Sequence, residues 1–173
     1  SGWSLTEKGE VLARTFHESD LLVADCLDRG YLDDLDPSSL AALASVFVYE
    51  HRSSEAPPAP WFPSAEVRKK WRRIESVSRE LQATEEAASL NQHRAPDPTY
   101  IAIAYAWAAG EGFAEVVEAE ELSGGDFVRT MKQLIDLLRQ IGTMAPVPQT
   151  RRNAEAAADL LMRGVVAAST SVP

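Results

Sequence analysis

Phe127-Val128-Arg129-Thr130-Met131-Lys132-Gln133-Leu134-Ile135-Asp136-Leu137-Leu138-Arg139-Gln140-Ile141 is the stretch from which the architecture is read. At about 100° per residue, Phe127, Met131, Leu134, Leu138 and Ile141 fall on one side of a helix. Arg129, Lys132, Gln133, Asp136, Arg139 and Gln140 fall on the other. A half-buried strand would alternate with period two, and this segment does not. It reads as a long helix held in a core by one face, with cationic and amide groups on the opposite face.

Helical signals recur on both sides of it. Leu21, Leu22, Cys26 and Leu27 form an apolar stripe that stops at Gly30, a natural C-terminal glycine. Asp36-Pro37 supplies a cap followed by proline at the first helical position, opening a helix through Leu40, Leu43, Val46 and Phe47. Pro57, Pro58, Pro60 and Pro63 force a loop over residues 52 to 63. Ser64 starts an amphipathic helix to about Leu90, with Val67, Trp71, Ile74, Val77 and Leu81 inward. Asp97-Pro98 repeats the start signal, and that helix closes at Gly110. A short helix over Phe113 to Ala119, the long one from Phe127, and a last one from about Arg151 to Ala168 complete the count. The expectation is an all-α bundle of about seven helices. Residues 1 to 17 fit a short β-hairpin or a helix equally poorly.

The chain has 173 residues, room for one domain with a real core. It opens at Ser1 rather than methionine, which suggests a piece of a longer protein. No membrane-length apolar span and no leader pattern is found, so no membrane partner and a cytoplasmic location are expected. A single cysteine, Cys26, excludes an internal disulfide and a thiolate-rich zinc site, and its place on an apolar stripe marks it as core. The formal charge of −9 argues against a free-standing nucleic-acid binder, unless the basic groups are concentrated or complete a larger surface.

Catalytic chemistry finds little footing. The glycines include no phosphate-cradling Gly-x-x-x-x-Gly-Lys pattern, so no nucleotide site is encoded, and no catalytic residue is assigned. His17, His51 and His93 are widely separated, and a surface role suits them better than a metal site. Asp33-Asp34-Leu35-Asp36 invites a magnesium reading. A capping role for Asp36, with Asp33 and Asp34 in the turn before the positive helix end, explains it better. No metal is expected. Arg68, Lys69, Lys70, Arg72, Arg73 and Arg79 form a second basic stretch, where six bases meet only Glu66, Glu75 and Glu80. It suits contact with RNA or a partner domain, or simple solubilisation of a long helix.

Four separated stretches resemble the DSHCT domain, the module that ends Ski2-like DExH-box RNA helicases. Ser19 to Val23, through Leu35-Asp36-Pro37-Ser38-Ser39-Leu40-Ala41-Ala42-Leu43 to Phe47-Val48-Tyr49-Glu50, is similar to that family's first helix, its "LDP…AA" element and its "VFE" ending. Tyr105-Ala106-Trp107-Ala108-Ala109-Gly110 resembles a "Y-x-W-x-x-G" signature, and Gly125-Asp126-Phe127-Val128-Arg129 through Leu137-Leu138-Arg139-Gln140 a "G-[SD]-[FL]-[IV]-R…LLRQ" helix. Arg163 to Ser169 is similar to the final helix. The proline-rich loop and Leu90-Asn91-Gln92-His93-Arg94 look closest to the actinobacterial HelY branch.

The resemblance implies that residues 1–17 are the tail of a winged-helix domain and 18–173 a helical bundle. It implies that the 126–141 segment is a ratchet-like helix beside a translocating strand. Arg129, Lys132, Gln133, Asp136 and Arg139 become candidate RNA contacts. ATP and magnesium would belong to the motor domains of the parent helicase, outside this chain. Implied partners are single-stranded RNA, bound weakly by the isolated domain, the parent's RecA-like and winged-helix domains, and RNA-decay machinery. Eukaryotic members often carry an arginine pair where Lys132-Gln133 stands. A lysine is a point charge without a bidentate fork, so backbone contact fits and base selection does not. A helical interaction or packing module without nucleic-acid contact is the competing reading, favoured by the net charge and by the acidic run from Glu111 to Asp126.

Overall fold

The computed structural model describes residues 20–88, 94–119 and 122–169. Among them the chain is helical, with no strand. The elements are α1 (Asp20–Asp28), α2 (Pro37–Ala44) with a 3₁₀ turn at Ser45–Phe47, and α3 (Ala65–Ala87). A 3₁₀ turn at Pro98–Tyr100 leads into α4 (Ile101–Ala108). Then come α5 (Phe113–Ala119), α6 (Gly124–Met144), α7 (Pro148–Leu161) and α8 (Gly164–Ser169). The all-α expectation holds, with eight α-helices among the described residues. The hairpin and winged-helix tail expected over 1–17 lie outside them.

Local chemistry sets most boundaries. The Asp36 carboxylate accepts from the Ser39 amide at 3.4 Å, the Ser64 hydroxyl from the Val67 amide at 3.2 Å, and Asp97 from the Thr99 amide at 2.9 Å. Each satisfies an amide that lacks a helical partner. Asp97 also accepts from the His51 amide at 2.7 Å, so one carboxylate both starts the α4 segment and ties down the preceding loop. α1 and α4 end alike. At Gly30 (φ 79°) and Gly110 (φ 97°) the chain turns left-handed. The amides of Gly30 and Tyr31 reach back to Leu27 and Cys26, and those of Gly110 and Glu111 to Trp107 and Ala106. These paired bonds form the glycine-terminated Schellman cap.

Two boundaries differ from expectation. α6 begins at Gly124, not Phe127, and runs to Met144. Gly124 and Gly125 are tolerated here because first-turn amides have no helical partner to lose, and a bare Cα makes room for a ring. A side chain on Gly124 would stand 3.3 Å from Phe113 Cζ, and Phe113 packs on Phe127 at 5.5 Å between ring centres. The last helix, expected to be continuous to Ala168, starts at Pro148 and is interrupted at Met162–Arg163. The break forms where Trp107 Nε1 takes the Leu161 carbonyl at 2.9 Å.

α2 is the hub. Leu40, Ala41, Ala42, Leu43 and Ala44 are fully buried, and α2 packs mainly on α4 and α7. Those helices bury alanines of their own, Ala104 and Ala108, and Ala154, Ala157 and Ala158. Small side chains on facing helices let the axes approach closely. α6 and α7 form a tight antiparallel hairpin across Ala145 to Val147, α8 folds back onto α6, and α3 rests on α1 and α2.

Candidate nucleic-acid interface

α6 is about 30 Å long at 1.5 Å per residue. Phe127, Met131, Leu134, Ile135, Leu137, Leu138 and Ile141 are buried and fix its rotation about its own axis. The orientation of its outward groups is therefore held by the core.

The five candidate residues separate into two rows. Arg129, Gln133 and Asp136 point outward and are exposed. Of the three candidate cations Arg129 is the most exposed, with a side chain 70% exposed and one i,i+3 pairing to Asp126 at 3.2 Å. Such an exposed pair contributes at most a few tenths of a kcal/mol, so the guanidinium is available to a ligand. Gln133 and Asp136 form no hydrogen bond or ion pair among the described residues.

Lys132, half-buried, and Arg139, exposed, lie on the flank, and each meets a group on a neighbouring helix. Lys132 Nζ donates to the Ser169 carbonyl at 2.9 Å, placing a positive charge on the C-terminal end of α8. Arg139 reaches α7, at 3.1 Å from Glu155 and 3.6 Å from Asp159. The open row carries one positive and one negative charge, not an uninterrupted cationic stripe. Neither engagement could be read from the 127–141 pattern, because Ser169, Glu155 and Asp159 arrive from other helices.

The remaining candidates resolve into structural roles. Asp33 accepts a hydrogen bond from the Thr150 hydroxyl of α7, Asp36 caps α2, and Asp34 sits at φ 60° in the turn. Among the described residues no group of three or more His, Cys, Asp or Glu converges as a metal site would need. His51 Nε2 pairs with the Glu55 carbonyl at 2.9 Å, while His17 and His93 lie outside the described residues. Among the described residues no helix is long and apolar enough to cross a membrane.

One surface escaped the sequence reading. Trp61, half exposed, stands over Tyr105 at 5.7 Å between ring centres, edging a hollow of about 520 Å³ that Glu111 and Glu115 flank. An aromatic within a proline-rich loop was its only sequence signal.

Comparison with known proteins agrees with this architecture. The DSHCT (NUC185) domain family matches residues 2–169. The chain is 36% identical to the probable helicase HelY of Mycobacterium tuberculosis, over 94% of this chain and 19% of that protein. It is 37% identical to the probable helicase HelY of Mycobacterium leprae over the same shares. Against the exosome RNA helicase MTR4 of Homo sapiens it is 29% identical, over 78% of this chain and 13% of that protein. The chain thus spans about a fifth of its HelY relatives.

Proposed function

Because the chain belongs to the DSHCT domain family, we propose that it serves as the C-terminal accessory domain of an ATP-dependent RNA helicase and guides single-stranded RNA past α6. The observation that carries the reading is the Arg129–Gln133–Asp136 row, exposed along a helix whose opposite face is locked in the core. A translocating protein must accept every sequence and release each phosphate as the next arrives. One exposed guanidinium beside an amide, with a carboxylate limiting the attraction, meets that demand through weak backbone contact.

ATP and magnesium chemistry would occur in motor domains outside this chain. The residues here do not fit it, since the sequence lacks the phosphate-cradling glycine pattern and the described carboxylates do not converge. The parent's RecA-like and winged-helix domains are the proposed neighbours, and RNA-decay machinery a proposed partner, in line with the exosome helicase named among the relatives.

The test replaces Arg129 by Glu and Gln133 by Glu in the full-length parent. Unwinding is expected to fall about tenfold, equivalent to about 1.4 kcal/mol, with basal ATP hydrolysis unchanged. Unwinding at the normal rate, with normal RNA-stimulated hydrolysis, would leave α6 no guiding role. The packing-module reading then stands, supported by the contacts of Lys132 with α8 and of Arg139 with α7. RNA crosslinking to α6 in the intact protein separates the two directly.

A further inference from the structure

We propose that Arg68, Lys69, Arg72 and Arg73 on α3 form a second surface for nucleic-acid phosphates, distinct from the α6 row. α3 rests on α1 and α2, whereas α6 rests chiefly on α7, so the two surfaces belong to different parts of the bundle.

The case begins with the acids. Between residues 66 and 80, Glu66 pairs with Lys70 at 3.5 Å, Glu75 with Arg79 at 2.8 Å, and Glu80 approaches Arg29 at 3.9 Å. Each acid of that stretch is thus engaged by a base other than the four. Arg68, Lys69, Arg72 and Arg73 have no carboxylate within ion-pair distance among the described residues, and all four are exposed. In a chain of 26 acidic and 17 basic residues, four neighbouring cations without a carboxylate partner among the described residues are an unusual concentration.

Geometry adds to charge. With Ala65 and Ser76 the four line an open hollow of about 320 Å³ along one side of the helix. Arg68 lies over the Phe62 ring at 5.3 Å and Arg73 over Tyr31 at 5.9 Å. These contacts restrict both guanidinium groups and leave their edges free to donate. From Ala65 to Ser76 the helix rises about 16 Å. One strand of a duplex places about five phosphates in that length, at 3.4 Å each. Four cations facing about five phosphates suit a phosphodiester backbone better than a single small anion. Contacts from these cations to phosphates carry no sequence information, so binding through this surface should not depend on sequence.

The inference stands apart from the α6 reading, and the experiment keeps the two distinguishable. In the full-length parent, Lys69 and Arg72 are both replaced by Gln, and separately Arg68 and Arg73. Affinity for single-stranded and duplex oligonucleotides of two unrelated sequences is then measured against salt. Each pair should lower the slope of log K on log[salt] by about 1.4 for single strands, at about 0.7 per lost contact, equally for both sequences. Arg72→Lys should keep the slope. Ser76→Glu, which adds a negative charge to the hollow without removing a base, should weaken binding too. The single-strand and duplex arms identify which form of backbone occupies the surface. Slopes unchanged in both pairs, or lowered only by Arg129→Glu on α6, overturn the inference. Association with a purified acidic protein that is lost while the slopes stay constant also overturns it.

Discussion

The Arg163 guanidinium lies 3.6 Å from the centre of the Trp107 ring and donates to the carbonyl of the same residue, at 2.6 Å from Nη2 and 3.2 Å from Nε. It also donates to the Glu111 carbonyl at 2.7 Å, so one side chain closes the C-terminal end of α4. The indole answers from the other direction, giving its N–H to the Leu161 carbonyl at the end of α7. Trp107 therefore joins α4, α7 and the start of α8, and the "Y-x-W-x-x-G" signature is a structural joint. Burial holds the Arg163 guanidinium below its usual value, far too little to discharge it.

Arg163→Lys is expected to be costly despite keeping the charge. A lysine cannot donate to two carbonyls through a planar fork or stack as flatly on the indole. The loss is about 1–2 kcal/mol. Trp107→Phe should cost at least as much, since it vacates volume and leaves the Leu161 carbonyl only the Arg163 amide as donor. Urea unfolding of the chain measures both. Unfolding midpoints matching wild type would mean that the joint contributes nothing to stability.

Tyr100→Phe should be neutral or stabilising. The Tyr100 hydroxyl is buried without a well-formed hydrogen bond, although Thr130 lies near enough to act on its ionisation. Removing it relieves an unsatisfied group, worth about 1 kcal/mol, while the ring keeps its stacking on Tyr49 at 4.6 Å. A loss above about 1 kcal/mol would reveal a water or partner at that hydroxyl.

Alkaline stability should depend on Cys26. Burial, with the Asp25 carboxylate adding to it, pushes the Cys26 thiol from 9.0 up to about 12. The folded state therefore holds this proton more tightly than the unfolded chain does. Its stabilisation is complete below about pH 9 and is lost as pH rises toward 12. The wild-type unfolding free energy should fall more steeply over this window than that of Cys26→Ala, by up to about 1.4 kcal/mol per pH unit. Parallel curves for the two proteins would show the thiol to be open to solvent, as would rapid modification at pH 8.

Gly142→Ala sets two effects against each other. A new methyl would stand 3.1 Å from Glu155 Cγ and Cδ and closer still to its carboxylate, so the Glu155 tip must move and its bond to Arg139 must loosen. That exposed pair is worth less than about 1 kcal/mol, and alanine gains about 0.8 kcal/mol over glycine in a helix. The expected outcome is a change within about 0.5 kcal/mol of zero, and a clear gain of stability in a Glu155→Ala background, both read by thermal unfolding. Strong destabilisation in both backgrounds would mean that the α6–α7 spacing itself cannot yield.

The candidate site was only partly legible for a reason visible residue by residue. Arg129, Gln133 and Asp136 keep the outward positions that helical periodicity assigns, because Met131, Leu134 and Leu138 hold the opposite face in the core. Lys132 and Arg139 share the same polar arc. Whether each is free depends on Ser169, Glu155 and Asp159, 16 to 37 residues away along the chain. Likewise the six bases of α3 look alike in sequence, yet two are claimed by acids one turn away and four meet no acid among the described residues.

Interactions over one to five residues were available to the chain before it folded. They set the caps at Asp36, Ser64 and Asp97, the glycine stops at Gly30 and Gly110, and the amphipathic faces of α3 and α6, and hence an all-α bundle. The break after Leu161, the capping of α8 by Lys132 and the hollow beneath Trp61 needed groups distant in sequence to meet. Local hydrogen bonds and periodicity specify where helices run. Which of their polar groups remain open to a ligand is settled only when the helices pack and compete for the same donors and carbonyls.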